Sequence, residues 1–490
     1  MNLAVLVQNL KILKTSGPLD VEISGLCQDS RLVTPGVLFC CVKGVKLDGH
    51  IFLAQAAAAG AVAALVEDWP VNNPGLVLIQ VENVNAALRK VAGRFYNYPE
   101  RKLQLIGIVG TNGKTTSTYL MKSILEAAGH RVGLIGTIAN LIDNQELPTH
   151  NTTPGYLELM QLFAKMVAAG VEYVVMEVSS HSIDQGRVAG LSFRCGIFTN
   201  ITQDHLDYHK TFAEYLRVKS RFFIDLSSTA WAVFNLDDPH AETIMAKTAA
   251  EVVTYGVNRA ADVKAEKIRT GLEGVAYSVT TPRGSLDLQL HLAGYFNVYN
   301  SLGVIAAAQV LGIEMSAIKQ GLERTTGVPG RFQKVVVPGM DFTVIVDYAH
   351  TPDGLENILR TGRELHPRRL LLIFGCGGDR DRTKRPVMGA LAAKMADYTV
   401  ITSDNPRSEE PLAIIREIET GFKAANSQAR YEVEIDRAQA IRKGIIAAQQ
   451  GDLVLIAGKG HETYQQFADR TIHFDDREVA AAVLKERFNG

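Results

Sequence analysis

The sequence is short of the features that mark an unusual environment. Its five cysteines (Cys27, Cys40, Cys41, Cys195, Cys376) are odd in number, scattered and without metal-ligand spacing. That excludes a disulfide framework and a cysteine-rich metal site, and leaves small buried residues in a reducing compartment. Net charge is nearly absent: 51 basic and 52 acidic side chains leave −1, so there is no field for bulk binding of nucleic acid or a membrane surface. The start, MNLAVLVQNLKILKTSG, has no basic stretch before its apolar residues and soon turns polar, unlike a signal peptide or membrane span. Repeats and low-complexity arrays are missing too. What is present, 47% hydrophobic and 21% charged residues, is ordinary for a globular protein. A cytoplasmic monomer acting on small molecules is expected. At 490 residues the chain is too long for one core, and its length suggests about three domains.

Residues 1–100 mix short apolar runs (GVLFCCVKG, AVAALVED) with an alanine-rich helix around FLAQAAAAG, and NYPERKLQ reads as a polar linker. From LQLIGIVG onward, strand-like runs alternate with helical stretches, the pattern of a parallel sheet covered by helices. Gly327, Pro329 and Gly330 interrupt it. It resumes with FTVIVDYAH, RRLLLIFGC, YTVITSDN and DLVLIAGKG, each followed by a plausible helix. The expectation is α/β throughout: a small N-terminal domain (1–100), a central mononucleotide-binding domain of P-loop type (101–332) and a C-terminal Rossmann-like domain (333–490). Ligands of such sheets gather at the carboxyl ends of the strands, where all the unusual sequence lies.

Gly110-Thr111-Asn112-Gly113-Lys114-Thr115-Thr116 stands between a strand and a helix. Its glycines let backbone N–H groups close around phosphate oxygens at a helix N-terminus. Lys114 would reach the β- and γ-phosphates of ATP, and Thr115 would ligate Mg²⁺. The loop is the short GxxGK[ST] form, without the usual first glycine. Glu177 ends the strand YVVMEVS, where a carboxylate can meet phosphate-bound Mg²⁺. His205, in TQDHLDYH, is a second candidate ligand, although a lone loop histidine is more often simply exposed.

Thr211 and Glu214 form a capping box for the helix TFAEYLRVKSRFFIDL. At roughly 100° per residue, Phe212, Leu216, Lys219, Phe223 and Leu226 share one face, with Glu214, Arg217 and Arg221 opposite. A lysine amid an apolar stripe has two readings. It snorkels past the rings, or burial holds it neutral and able to do chemistry.

With GTNGKTT, MEVSSH, DHLDYH and the inward lysine, the chain resembles the Mur ligases along all three domains. The residue after Arg382 is Thr383, where the family often has glycine. The resemblance implies an ATP-dependent ligase joining an amino acid to a carboxylate of a nucleotide-linked peptidoglycan precursor. It implies that CO₂ carbamylates Lys219, giving an anion that helps hold Mg²⁺ with Thr115, Glu177 and His205. It also places Asn297, Asn300, Arg331, Asp347 and His350 at ATP; from its residues alone, GYFNVYN reads equally well as a turn before a helix. Ser30, within a DSR that is otherwise a polar turn, is implied to lie in the uridine-nucleotide pocket. Asn151, Thr152, Thr153, Ser179, Gln185 and Arg187 suit a substrate with amides, a sugar and carboxylates. In the family these positions contact the muramoyl dipeptide, although helix caps and turns would also explain them.

Three charged turns of the C-terminal domain each follow an apolar strand: Gly375–Asp381 with Arg380, Asp404-Asn405-Pro406-Arg407, and Gly458–Glu462. In one parallel sheet they would share an edge; Asn-Pro and the glycines would also serve as simple turn chemistry, but three charged turns with both signs describe a zwitterion site better. Arg407 offers a planar fork to a carboxylate and Glu462 an acceptor to an ammonium. Diaminopimelate has both groups at its far end; lysine would leave Arg407 unpaired. The resemblance also links DNPR to diaminopimelate. The rivals are the same reaction with L-lysine, another Mur or folylpolyglutamate-type ligase, and a P-loop switch that makes no bond.

Overall fold

Three main sheets organise the chain in the computed structural model, which describes residues 1–44, 47–149 and 151–489. The first has five strands in the order Ile12–Thr15, Val77–Val81, Ala63–Val66, Val37–Cys40, Gly25–Cys27, all parallel except the first. Val37–Cys40 and Ala63–Val66 are buried at every residue, as expected of strands covered on both faces. The alanine-rich helix is short, Leu53–Ala58. A longer one, Val84–Phe95, is not evident from the pattern and turns Leu88, Val91 and Ala92 inward. NYPERKLQ is not a solvated linker: Pro99–Lys102 forms a tight helical turn with Pro99 and Glu100 buried, because it packs against helix Tyr156–Ala168.

The central sheet has eleven strands with Gln104–Val109 in the middle, paired in parallel to Tyr173–Glu177 on one side and Phe193–Phe198 on the other. Val132–Ile135 lies beyond the first neighbour, whereas Trp231–Asn235 and Glu251–Gly256 lie beyond the second. The winding therefore reverses at Gln104–Val109, which opens a crevice at its carboxyl end. Antiparallel hairpins extend both edges, Asn140–Leu147 and Val263–Leu290, beyond the purely parallel sheet expected.

The C-terminal sheet runs Gln333–Val335, Thr343–Asp347, Leu453–Ala457, Leu370–Phe374, Tyr398–Thr402, Tyr431–Glu434, parallel except for the first strand. One expected helix is missing. Leu453–Ala457 leads into a hairpin, Tyr464–Gln466 with Thr471–His473, before the helix Asp476–Asn489. Gly458 and Gly460, at φ 118° and 55°, turn the chain back across the strand ends. All five cysteines are buried as free thiols, and among the described residues no helix is long and apolar enough to cross a membrane.

Candidate active site

Strand Gln104–Val109 delivers the phosphate loop and helix Lys114–Ala127 continues it. Its two glycines are required by close approach. A Cβ on Gly110 would overlap Thr199 Oγ1, and one on Gly113, at φ 85°, would overlap Asn300 Oδ1. The neighbouring strand end braces the loop: Thr111 N donates to Asn200 O at 2.9 Å and Asn112 N to Asn200 Oδ1 at 3.0 Å. Thr116 is buried in the first helical turn.

Glu177, 1% exposed, ends its strand beside the loop. Its Oε2 accepts from Thr115 Oγ1 at 3.1 Å and Thr137 Oγ1 at 3.0 Å, and its Oε1 accepts from Thr137 N at 2.9 Å. A hydroxyl and a carboxylate oxygen side by side form a hard-oxygen donor pair of the kind Mg²⁺ prefers.

Lys219 is 2% exposed, and its Nζ donates to Gly110 O at 2.6 Å while lying 4.8 Å from the Tyr215 ring centre. Burial, followed by the charge of Lys114, drives its pKa well below the usual lysine range. The snorkelling alternative fails, because the amine ends inside the protein. The inward face of helix Phe212–Ile224 also differs from the expected stripe. Tyr215, Val218, Lys219, Phe222 and Phe223 are buried, and Phe212 and Leu216 only partly so, because the helix lies along the sheet with Tyr215 turned to the phosphate loop through Thr111. Thr211 caps Glu214 N, but the Glu214 carboxylate pairs with Arg217 instead of completing the capping box.

His205 reaches the same cavity with left-handed backbone, φ 54°, its Nε2 3.4 Å from Asp204 Oδ2 and its ring centre 4.9 Å from that of His181. Burial pushes its pKa down against the opposing pull of Asp204. The cavity, roughly 630 Å³, runs from the phosphate loop past Asn300 and Tyr299 and is closed on the far side by the C-terminal domain. Asn300 Nδ2 donates to Asn297 Oδ1 at 2.9 Å and Asn297 Nδ2 to Ala293 O at 2.8 Å, in the opening turns of helix Phe296–Val310.

Arg331 Nη2 donates to Thr115 Oγ1 at 2.9 Å, with the guanidinium 4.4 Å from the Tyr348 ring centre. Asp347 accepts from Phe332 N and Ala349 N at 2.6 and 2.7 Å, and burial raises its pKa. His350 is held at Nδ1 by Tyr348 O at 2.8 Å, and burial pushes its pKa down to about 4. Asn112 Nδ2 donates to Asp353 Oδ2, tying the loop to the third domain. Asn200, Asp204 and Asp353 are cavity residues the sequence reading passed over. The first two follow a strand end in NITQDH, a usable signal; Thr137, equally central, has none.

On the other side of Glu177, Thr153 Oγ1 donates to Glu177 O at 2.9 Å and accepts from Ser179 N at 3.1 Å. Arg187 donates to Thr153 O at 2.8 Å and, through Nε, to Gln185 Oε1 at 3.0 Å. Thr152 accepts from Thr137 Oγ1 at 3.1 Å, and Asn151 is exposed. These residues are brought together with the phosphate loop. Ser30 is not: it lies in the N-terminal domain, bonded to Gln55 Oε1 at 3.0 Å.

The three charged turns share one edge, since Leu453–Ala457, Leu370–Phe374 and Tyr398–Thr402 are adjacent parallel strands. Arg407, at φ 53°, donates to Gly378 O at 2.7 Å, and Pro406 packs its carbonyl on Gly378. Arg380 is exposed and touches Asp379 O. Asp404 accepts from Asn405 N at 2.6 Å. Gly458 leaves room for the Asp404 carboxylate, which its Cβ would meet at 2.5 Å. Asn405 Nδ2 donates to Glu462 Oε2 at 2.8 Å.

A nucleotide loop at a sheet switch point with a carboxylate beside its threonine makes an ATP site, and with the charged turns on the C-terminal sheet and the matches that follow the class is that of an ATP-dependent ligase. Family models match along the chain: Mur ligase family, catalytic domain, over residues 22–96; Mur ligase middle domain over 108–308; and Mur ligase, glutamate ligase domain, over 330–460. The chain is 44% identical over 489 residues to the UDP-N-acetylmuramoyl-L-alanyl-D-glutamate–2,6-diaminopimelate ligase 1 of Clostridium acetobutylicum, covering 100% of both. With the ligase of the same description from Geobacillus thermodenitrificans it shares 47% over 473 residues, 95% of this chain and 96% of the other. A solved structure of a UDP-N-acetylmuramoyl-L-alanyl-D-glutamate–2,6-diaminopimelate ligase matches at TM-score 0.67 and 30% identity, covering 99% of each chain. A MurF ligase from Thermotoga maritima in complex with ADP matches in fold at TM-score 0.64 and 16% identity, over 95% of this chain and 97% of that one. The chain belongs to the Mur ligase family.

Proposed function

We propose that the enzyme adds meso-diaminopimelate to the D-glutamate γ-carboxylate of UDP-N-acetylmuramoyl-L-alanyl-D-glutamate, with conversion of ATP to ADP and phosphate, in cytoplasmic peptidoglycan precursor synthesis. The observation that carries this reading is the charged edge of the C-terminal sheet, with Arg407 and Glu462 available to opposite charges. It agrees with relatives 44–47% identical that bear this activity in their names. In this reading residues 1–100 bind the uridine nucleotide through Ser30, residues 101–332 bind ATP, and residues 333–490 bind the amino acid.

The γ-carboxylate, steered by Arg187, Ser179 and the Asn151–Thr153 loop, attacks the γ-phosphorus of ATP and displaces ADP. Lys114, released from the Gly110 and Thr111 carbonyls to which its Nζ donates, pairs the β- and γ-phosphates, and Arg331, beside Thr115, approaches the transferring group. Asn297, Asn300, Asp347 and His350 bound the adenosine end. Magnesium supplies charge neutralisation at the phosphates when bound; Thr115 and Glu177 would hold it, with His205 and a CO₂-derived carbamate on Lys219. The low pKa of Lys219 fits that modification, since only a free amine reacts with CO₂. The diaminopimelate amine then attacks the acyl phosphate, a tetrahedral centre forms and phosphate leaves. In this reading the third domain, which meets the phosphate loop through Asp353 and Asn112, covers the site and protects the acyl phosphate from water.

The test is coupled ADP release with ATP, Mg²⁺ and the UDP-dipeptide, comparing meso-diaminopimelate with L-lysine. Turnover with diaminopimelate alone is expected. Turnover with lysine would refute the reading of Arg407, and silence with both would refute the acceptor.

A further inference from the structure

Of the Gly458–Glu462 turn, Lys459, Gly460 and His461 have no role in the site described so far. Lys459 is 0% exposed, a burial rarely tolerated by lysine without specific partners. Its Nζ donates to Glu462 Oε2 at 2.9 Å and Asn405 Oδ1 at 3.2 Å, and it lies 5.3 Å from the Tyr464 ring centre. Glu462 Oε2 therefore has two donors, Lys459 and Asn405 Nδ2, whereas Glu462 Oε1 has none among the described residues.

Arg437 is paired with Asp476, both fully buried, and Arg385 is paired with Glu409 and Glu417. Arg407 has no ion pair among the described residues. That leaves two carboxylates, Asp404 and Glu462, against the single buried cation Lys459. Without Lys459 both negative charges would stand in a desolvated turn, a state that proteins avoid by protonating one of them. Burial already pushes the pKa of Glu462 up, and Lys459 is the foremost group opposing that.

We propose that Lys459 is a positioning residue for amino-acid specificity: it cancels one of the two buried carboxylates and pins Glu462 by Oε2, so that Oε1 alone is presented to a ligand ammonium. The turn then carries one uncompensated negative charge and Arg407 one positive, which matches the ammonium and carboxylate at one end of a diamino diacid. This rests on the amino-acid reading given under Proposed function. It adds that the selectivity is set by a residue behind the site that makes no contact with the substrate.

The experiment is a kinetic cycle of Lys459→Met, Glu462→Gln and the double variant, with a wild-type comparison of meso-diaminopimelate and 2-aminopimelate, which lacks the far ammonium. Lys459→Met is expected to raise KM for diaminopimelate at least tenfold, which is about 1.4 kcal/mol, with kcat and the KM for ATP within about threefold of wild type. In the Glu462→Gln background the same change is expected to alter KM less than threefold. Equal shifts in both backgrounds, or a fall in kcat with both KM values moved, would overturn the proposal. If Lys459→Met fails to fold and the double variant folds, the role of Lys459 toward Glu462 is upheld; if neither folds, Lys459 is a structural cation and the proposal falls. Equal KM for diaminopimelate and 2-aminopimelate in the wild type would instead overturn the reading of Glu462 beneath it.

Discussion

Lys114 and Lys219 converge on one acceptor: both Nζ atoms donate to the carbonyl oxygen of Gly110, at 2.9 and 2.6 Å. Two ammonium groups on one carbonyl repel each other, and burial lowers both pKa values. Lys219, the more enclosed, is the one driven toward the free amine. Lys219→Met is expected to lower kcat by at least about 10²–10³-fold, the usual loss for a preorganised charge at a transition state. With ¹³C-bicarbonate, the wild type is expected to show a carbamate ¹³C resonance that the variant lacks. A fully active wild type without that resonance would refute the modification.

Arg407 is the selectivity test at the substrate itself. Arg407→Met is expected to reduce kcat/KM for meso-diaminopimelate by roughly 10–150-fold, corresponding to about 1.5–3 kcal/mol for a charged hydrogen bond. It should leave the value for L-lysine within a few-fold, so that the preference narrows. Parallel kcat/KM measurements with both amino acids decide it; an unchanged ratio would remove Arg407 from specificity.

Gly113 combines a left-handed φ of 85° with a Cβ direction blocked by Asn300. Gly113→Ala is therefore strained twice, at a cost of about 1–3 kcal/mol. The expected result is a raised KM for ATP together with a lower thermal midpoint. A variant with wild-type values of both would show that the loop has no need of that geometry.

Hydrogen bonding to Arg385 holds the Glu409 carboxyl down at about 2, below its ordinary value of 4.5. A depressed carboxylate stabilises the fold fully above the unfolded-state pKa and progressively less as pH falls through the folded one. Glu409→Gln is thus expected to be less stable than wild type at neutral pH, with the gap closing between about pH 4.5 and 2. Urea unfolding midpoints across that range measure it, and a constant gap would argue against the pair.

Much of the site is legible along the chain because its parts are local. A phosphate loop needs a strand, two glycines and a helix start in sequence, and Gly110, Gly113, Lys114 and Thr115 stand in that order. Lys219 was legible because a helical period puts it among apolar residues, although the face that is buried turns on Tyr215 and Val218 rather than Phe212 and Leu216. Thr137, which gives Glu177 two of its hydrogen bonds, was not legible: a threonine after a strand looks the same whether or not a carboxylate stands opposite.

The sequence by itself determined the class of each sheet, the phosphate loop and the charged turns, because strand period, glycine placement and burial patterns are properties of neighbouring residues. Only the tertiary structure decided the rest. Asn200 braces the loop because strand Phe193–Phe198 lies beside Gln104–Val109. Asn112 meets Asp353 from 241 residues away, and Lys459 is buried because Leu453–Ala457 turns back through a hairpin rather than into a helix. Each depends on which strands pair and which domain faces which, and those choices are set by the summed burial of whole elements rather than by any local run of residues.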